Sequence, residues 1–186
     1  MSEINFDAMT SREMLNYLVA KNMEDARQAK ARGDLVCWAS SIAPCEFCEA
    51  MGIYTVYPEN HVVGIAARKG APELLAYAEQ KGYSNDICGY ARATLAYMDV
   101  QKCVSEEMPL PDVVLLCNNI CDTLYKWYEN IAYTLHIPCM VVDVPFNHDS
   151  VVTEENVNYV AEQFKEIIRQ LETLTGKKFD YDKFEE

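Results

Sequence analysis

Val113-Val114-Leu115-Leu116-Cys117 is an unbroken apolar run with no polar alternation, the pattern of a strand covered on both faces. A segment with helical spacing follows it, from about Asp122 to Leu135, and a further short run from Cys139 to Val144 stops at Pro145. Upstream, Leu35-Val36-Cys37-Trp38-Ala39 and Ile53 to Tyr57 have the same strand character, the second stopped by Pro58. Between them Pro44 suits the first turn of a short helix over 45–51, closed by Gly52. Helices are also expected over 71–81 and about 89–104. At the start of the chain, Met14, Leu15, Leu18 and Val19 share one face of a helix over 10–32, which Gly33 ends. The last helix runs from about Glu154 to Leu174, with Thr153 as its cap and Gly176 as its stop. Short apolar strands alternating with amphipathic helices predict an α/β fold: an open, mostly parallel sheet flanked by helices in Rossmann- or flavodoxin-like layers.

The chain divides into residues 1–150, which carry the sheet, and 151–186, which carry the last helix and the start of a connection. The tail LTGKKFDYDKFEE sets aromatics among charges with no evident place to bury them. A longer polypeptide with a further domain is therefore expected. The 186 residues suit one domain, and 50% apolar content supplies a core. With 16 basic against 29 acidic side chains the net charge is −13. No basic surface is available to neutralise phosphates, so neither nucleic acid nor an anionic membrane is an expected partner. The start, MSEINFDAMTSREM, is polar and acidic where a secretory signal is basic and then apolar. The expected location is cytoplasmic. There, the eight cysteines read as buried thiols, metal or cluster ligands, or redox groups, rather than structural disulfides.

Ligands of open parallel sheets bind beyond the carboxyl ends of the strands. The residues that follow the four strands are Ser40-Ser41-Ile42-Ala43-Pro44-Cys45-Glu46, then Tyr57-Pro58-Glu59-Asn60-His61, then Asn118-Asn119-Ile120-Cys121-Asp122, then Asp143 to His148. Phosphate-loop, nucleophile-elbow and HExxH patterns are absent from the sequence. Cys45-Glu46-Phe47-Cys48 is a CxxC, but no second pair completes a zinc site. A dithiol at 45 and 48 competes with simple packing of both thiols on a helix. Cys45, Cys88 and Cys121, separated by 43 and 33 positions, each follow a strand or lie in a loop that opens a helix. Soft thiolates from separate loops suit an iron–sulfur cluster better than a hard cation. The plain alternative, cysteine as a core residue, fits Cys37, Cys103, Cys117 and Cys139.

Several separate motifs, in order along nearly the whole chain, resemble the 2-hydroxyacyl-CoA dehydratase family, which also contains the benzoyl-CoA reductase subunits. They are Trp38-Ala39-Ser40-Ser41-Ile42-Ala43-Pro44-Cys45-Glu46 with Met51-Gly52, and Tyr57-Pro58-Glu59-Asn60-His61. Further along come Lys81-Gly82-Tyr83, Ile87-Cys88-Gly89-Tyr90-Ala91-Arg92, and Asn119-Ile120-Cys121-Asp122 with Lys126-Trp127. The serine pair and the YPE segment look most like the N-terminal part of the α-type subunit. The resemblance implies a heterodimer with a related β-type subunit, a [4Fe-4S] cluster, an acyl-CoA substrate and a separate ATP-dependent iron–sulfur activator protein, in an anaerobe. It implies Cys45 and Cys88 as cluster ligands. The third ligand is either Cys121 or a residue of a missing C-terminal half.

The implied reaction is radical elimination of water from a 2-hydroxyacyl-CoA, a lyase chemistry that gives enoyl-CoA through a ketyl radical. Ser41 would bond the substrate hydroxyl or carbonyl, with Ser40 not separable from it. Glu59 would move protons, His61 would orient it or shuttle protons, and Glu46 and Arg92 would support the site. Two alternatives remain open: a benzoyl-CoA-reductase-like subunit, and a non-catalytic truncated homologue acting as a partner domain.

Overall fold

The computed structural model describes residues 9–148 and 151–185 of the chain. Four strands form one sheet: β1 (Val36–Ala39), β2 (Tyr54–Val56), β3 (Val113–Cys117) and β4 (Cys139–Val142). All pairings are parallel and the order is β2-β1-β3-β4. The helices are α1 (Ser11–Arg32), α2 (Glu46–Ala50), α3 (Pro58–Ala67), α4 (Ala71–Gln80), α5 (Gly89–Val100), α6 (Asp122–Leu135), α7 (Glu154–Thr175) and α8 (Tyr181–Glu185).

Side chains alternate across a strand, and this divides the core in two. Val36, Trp38, Val114 and Leu116 face α1, α5 and α6, where Met23, Leu95, Trp127 and Ile131 meet them. Cys37, Ala39, Val113 and Leu115 face α2 and α7, where Phe47, Ile167 and Leu171 close the other side. A smaller cluster, with Val62, Ile65, Leu74 and Ala93, holds α3, α4 and α5 together. From β1 the chain steps outward to β2, then returns past β1 to β3. The switch point, where ligand crevices form in such sheets, therefore lies between the ends of β1 and β3.

The expected α/β architecture holds, and four local differences have physical causes. Residues 58–67, expected as a rim segment, are helix α3: Pro58 takes the first helical position, where its missing N–H is no loss. Helix α5 stops at Val100, because Gln101 turns left-handed at φ 49°. The stripe Leu15, Leu18 and Val19 is exposed, and α1 is held instead through Met23, Ala26 and Ala29. The tail aromatics have a place to pack: Phe179 is buried, and Phe184 stacks on Phe47 of α2 with ring centroids 5.1 Å apart. Among the described residues no helix is long and apolar enough to cross a membrane.

Candidate functional site

At the carboxyl end of β1 two adjacent serines face opposite ways. Ser40 is fully buried, its N–H donating to Leu115 O at 2.9 Å and its Oγ accepting from Cys117 N at 3.4 Å. It ties β1 to β3 beneath the switch point. Ser41 turns outward and is exposed. Its N–H donates to Glu59 Oε2 at 3.0 Å and its Oγ–H to Glu59 Oε1 at 2.9 Å. Glu59 reaches it because Pro58 starts α3 directly after β2, which puts the carboxylate in the first turn of α3, the end that favours an anion.

A third group joins this pair from α6. The Tyr128 hydroxyl lies 2.9 Å from Ala39 O and 3.0 Å from Glu59 Oε2. Burial, and then the neighbouring Glu59 charge, push this phenol well above its ordinary pKa, so it stays protonated. Sequence reasoning missed Tyr128. In the sequence it is one more apolar-face residue of an amphipathic helix.

His61 does not join them. Its ring is buried on the α5 side of α3, with Nε2 2.8 Å from Glu106 O and its edge against Tyr97 at 4.6 Å between centroids. Nδ1 has no hydrogen-bond partner, and burial lowers the pKa of the imidazole. It makes no hydrogen bond to Glu59.

The cysteines divide by environment. Cys45, half-buried in the turn before α2, accepts the Tyr57 hydroxyl on Sγ at 3.0 Å, and burial pushes its thiol up. Cys48 is buried beneath α2 against Cys37, whose thiol is raised first by that contact and then by burial. The two thiols of the CxxC thus lie in different surroundings. Cys88 and Cys121 are exposed and stand at the N-caps of α5 and α6 without side-chain cap bonds. Ile87 and Asp122, their sequence neighbours, line one cleft of about 560 Å³ with Tyr83, Lys126 and Trp127. Arg92, paired with Glu79 at 2.5 Å, donates to Ile87 O at 3.0 Å and braces the turn into Cys88. Glu46 is exposed at the start of α2.

Among the described residues no three His, Cys, Asp or Glu side chains stand close enough to share a single metal ion. The group that the family resemblance implies is an iron–sulfur cluster, which would take thiolate donors. Three free thiols, two exposed and one half-buried, fit that group in donor chemistry.

Comparisons with known proteins place the chain in a family. The chain is 48% identical over 192 residues to the lactoyl-CoA dehydratase subunit alpha of Anaerotignum propionicum, covering 96% of this chain and 46% of the relative. It is 47% identical over 161 residues to the (R)-phenyllactyl-CoA dehydratase alpha subunit of Clostridium sporogenes, covering 87% and 40%. A benzoyl-CoA reductase subunit of Thauera aromatica is more distant, at 27% over 175 residues, covering 91% and 40%. The chain thus spans about half the length, or less, of these curated relatives. Residues 40–186 match the family model described as 2-hydroxyglutaryl-CoA dehydratase, D-component, and the chain belongs to that family.

Proposed function

We propose that the chain is part of the α-type, iron–sulfur subunit of an (R)-2-hydroxyacyl-CoA dehydratase. The observation that carries this reading, beside family membership, is the Ser41–Glu59 pair at the carboxyl ends of β1 and β2. The reaction breaks a C–O bond at C2 and a C–H bond at C3 of the acyl group and releases water. The β-proton is nearly non-acidic until an electron on the thioester carbonyl makes a ketyl radical and hydroxide departs. That electron is handed back at the end, so the overall change is redox-neutral.

Ser41 Oγ donates its proton to Glu59 Oε1, which leaves its lone pairs to accept from a substrate hydroxyl. The serine orients the substrate, and the carboxylate behind it takes up or returns a proton. Ser40 fixes the strand end from which Ser41 projects, and His61 packs α3 against α5. Cys45 and Cys88 would hold a [4Fe-4S] cluster, with Cys121 or a residue of the relatives' further length as the third ligand. The cluster, when bound, supplies a low-potential electron and an iron with an open position. The same reading assigns a β-type partner subunit, an ATP-dependent activator and a cytoplasmic location.

The test uses the full-length subunit assembled with its partner and activator under anaerobic conditions. Glu59→Gln is expected to keep the cluster absorbance while dehydration falls about a hundredfold or more. Unchanged turnover would remove Glu59 from proton transfer. The distant relative from the benzoyl-CoA reductases supplies the second reading, in which an acyl-CoA ring is reduced. Enoyl-CoA from a hydroxyacyl-CoA supports the dehydratase, and a dienoyl-CoA product would replace it with the reductase.

A further inference from the structure

We propose that Tyr128 is a positioning residue that lets Glu59 change its protonation state in place, an inference that rests on Glu59 being the acid/base group. The argument is one of proton counting. The buried phenol has one proton and two acceptors, Ala39 O at 2.9 Å and Glu59 Oε2 at 3.0 Å. When Glu59 is ionised, the Tyr128 O–H donates to Oε2, beside the Ser41 N–H on the same oxygen. When Oε2 carries a proton, the Tyr128 O–H turns to Ala39 O and its oxygen accepts from the carboxylic acid. Only a rotation about the phenol C–O bond separates the two arrangements, and Glu59 Oε2 keeps Tyr128 as a hydrogen-bond partner in both. A carboxyl group that must gain and lose a proton in each turnover needs a neighbour of this kind.

The other titratable groups acting on Tyr128 are Cys37 on β1 and Tyr57 at the start of α3. Both are held neutral, Cys37 by its contact with Cys48 and by burial, Tyr57 by burial and by the Cys45 thiol. Ser41, the remaining neighbour, carries no charge. Glu59 forms no ion pair with a Lys or Arg among the described residues; its side-chain partners are Ser41 and Tyr128.

The experiment measures rate against pH for Tyr128→Phe in the full-length subunit, assembled with its partner and activator. The ionised carboxylate has then lost one donor, so the acid limb of the profile is expected to move up by about one pH unit. Replacing Tyr128 with 3-fluorotyrosine keeps the ring and makes the phenol a stronger donor. The acid limb is then expected to move down, which covers the case in which Tyr128→Phe fails to fold. A profile lowered evenly at all pH values, or unshifted in both variants, would overturn the proposal. Glu59→Gln separates the two levels. If Glu59→Gln is inactive while the tyrosine variants are unshifted, only the role of Tyr128 falls. If Glu59→Gln turns over normally, the acid/base reading falls and this proposal with it.

Discussion

Ser40 and Ser41 show how much one residue of phase matters at the end of a strand. The sequence leaves them inseparable, since both follow an apolar run and both suit the start of a helix. The strand period of two resolves them: Ser40 continues the β1–β3 hydrogen bonding inward, and Ser41 meets Glu59 outward. Glu59 could be read from its place after Pro58. Tyr128 could not, because a phenol on the buried face of a helix has no local signature. His61 gives a prediction at this scale. Its burial favours the neutral ring, so its folded pKa lies below the ordinary value of 6.5. As pH falls below 6.5, the unfolded chain binds a proton that the folded chain refuses, and stability drops with acidification. Melting temperatures between pH 7.5 and 5.5 should therefore fall, and His61→Phe, which keeps a ring against Tyr97, should flatten that slope. An equal slope in the variant would show that other groups govern the acid side.

Helices were readable where their ends are marked. Thr10 caps α1 through a capping box with Glu13, Thr153 caps α7, and Gly33 and Gly176 close them in the left-handed conformation. Helix α3 was hidden because Pro58 marks a strand stop and a helix start equally well. The apolar stripe of α1 misled for another reason: periodicity reports a face but not what covers it. Two substitutions separate these cases. Leu18, 48% exposed, should tolerate Leu18→Gln with a stability change within about 0.5 kcal/mol. Phe179, 6% exposed and packed on Phe47, should lose about 3 kcal/mol as Phe179→Ala. Urea unfolding of both variants measures the contrast. Comparable losses at the two positions would mean that the tail packs more loosely than its ring contacts indicate.

For the whole molecule, the parallel α/β class follows from strand character and the helical crossovers. The order β2-β1-β3-β4 does not, because the same alternation of elements is compatible with several orders. That order puts β1 and β3 side by side and so decides which loops meet. It lets a residue of α6 reach one of α3 across 69 positions of sequence. Spacing showed that Cys45, Cys88 and Cys121 follow strands or lie in loops that open helices, but not that Ile87 and Asp122 share a cleft. In the anaerobically purified full-length subunit, Cys45→Ala and Cys88→Ala should each lose most of the bound iron. Cys121→Ala should do so if it is the third ligand. Full iron content after any of these changes would strike that residue from the ligand set. The aromatic stack between α8 and α2 has a practical use of its own. Phe184 covers Phe47, Lys183 holds Glu49 O at 2.5 Å, and Cys45 sits at the head of the same short helix. Cys48, on the same helix and buried in one cluster with Phe47 and Phe179, is thus a reporter of this corner: its alkylation by a small reagent would time openings too brief or too rare to change the circular dichroism spectrum.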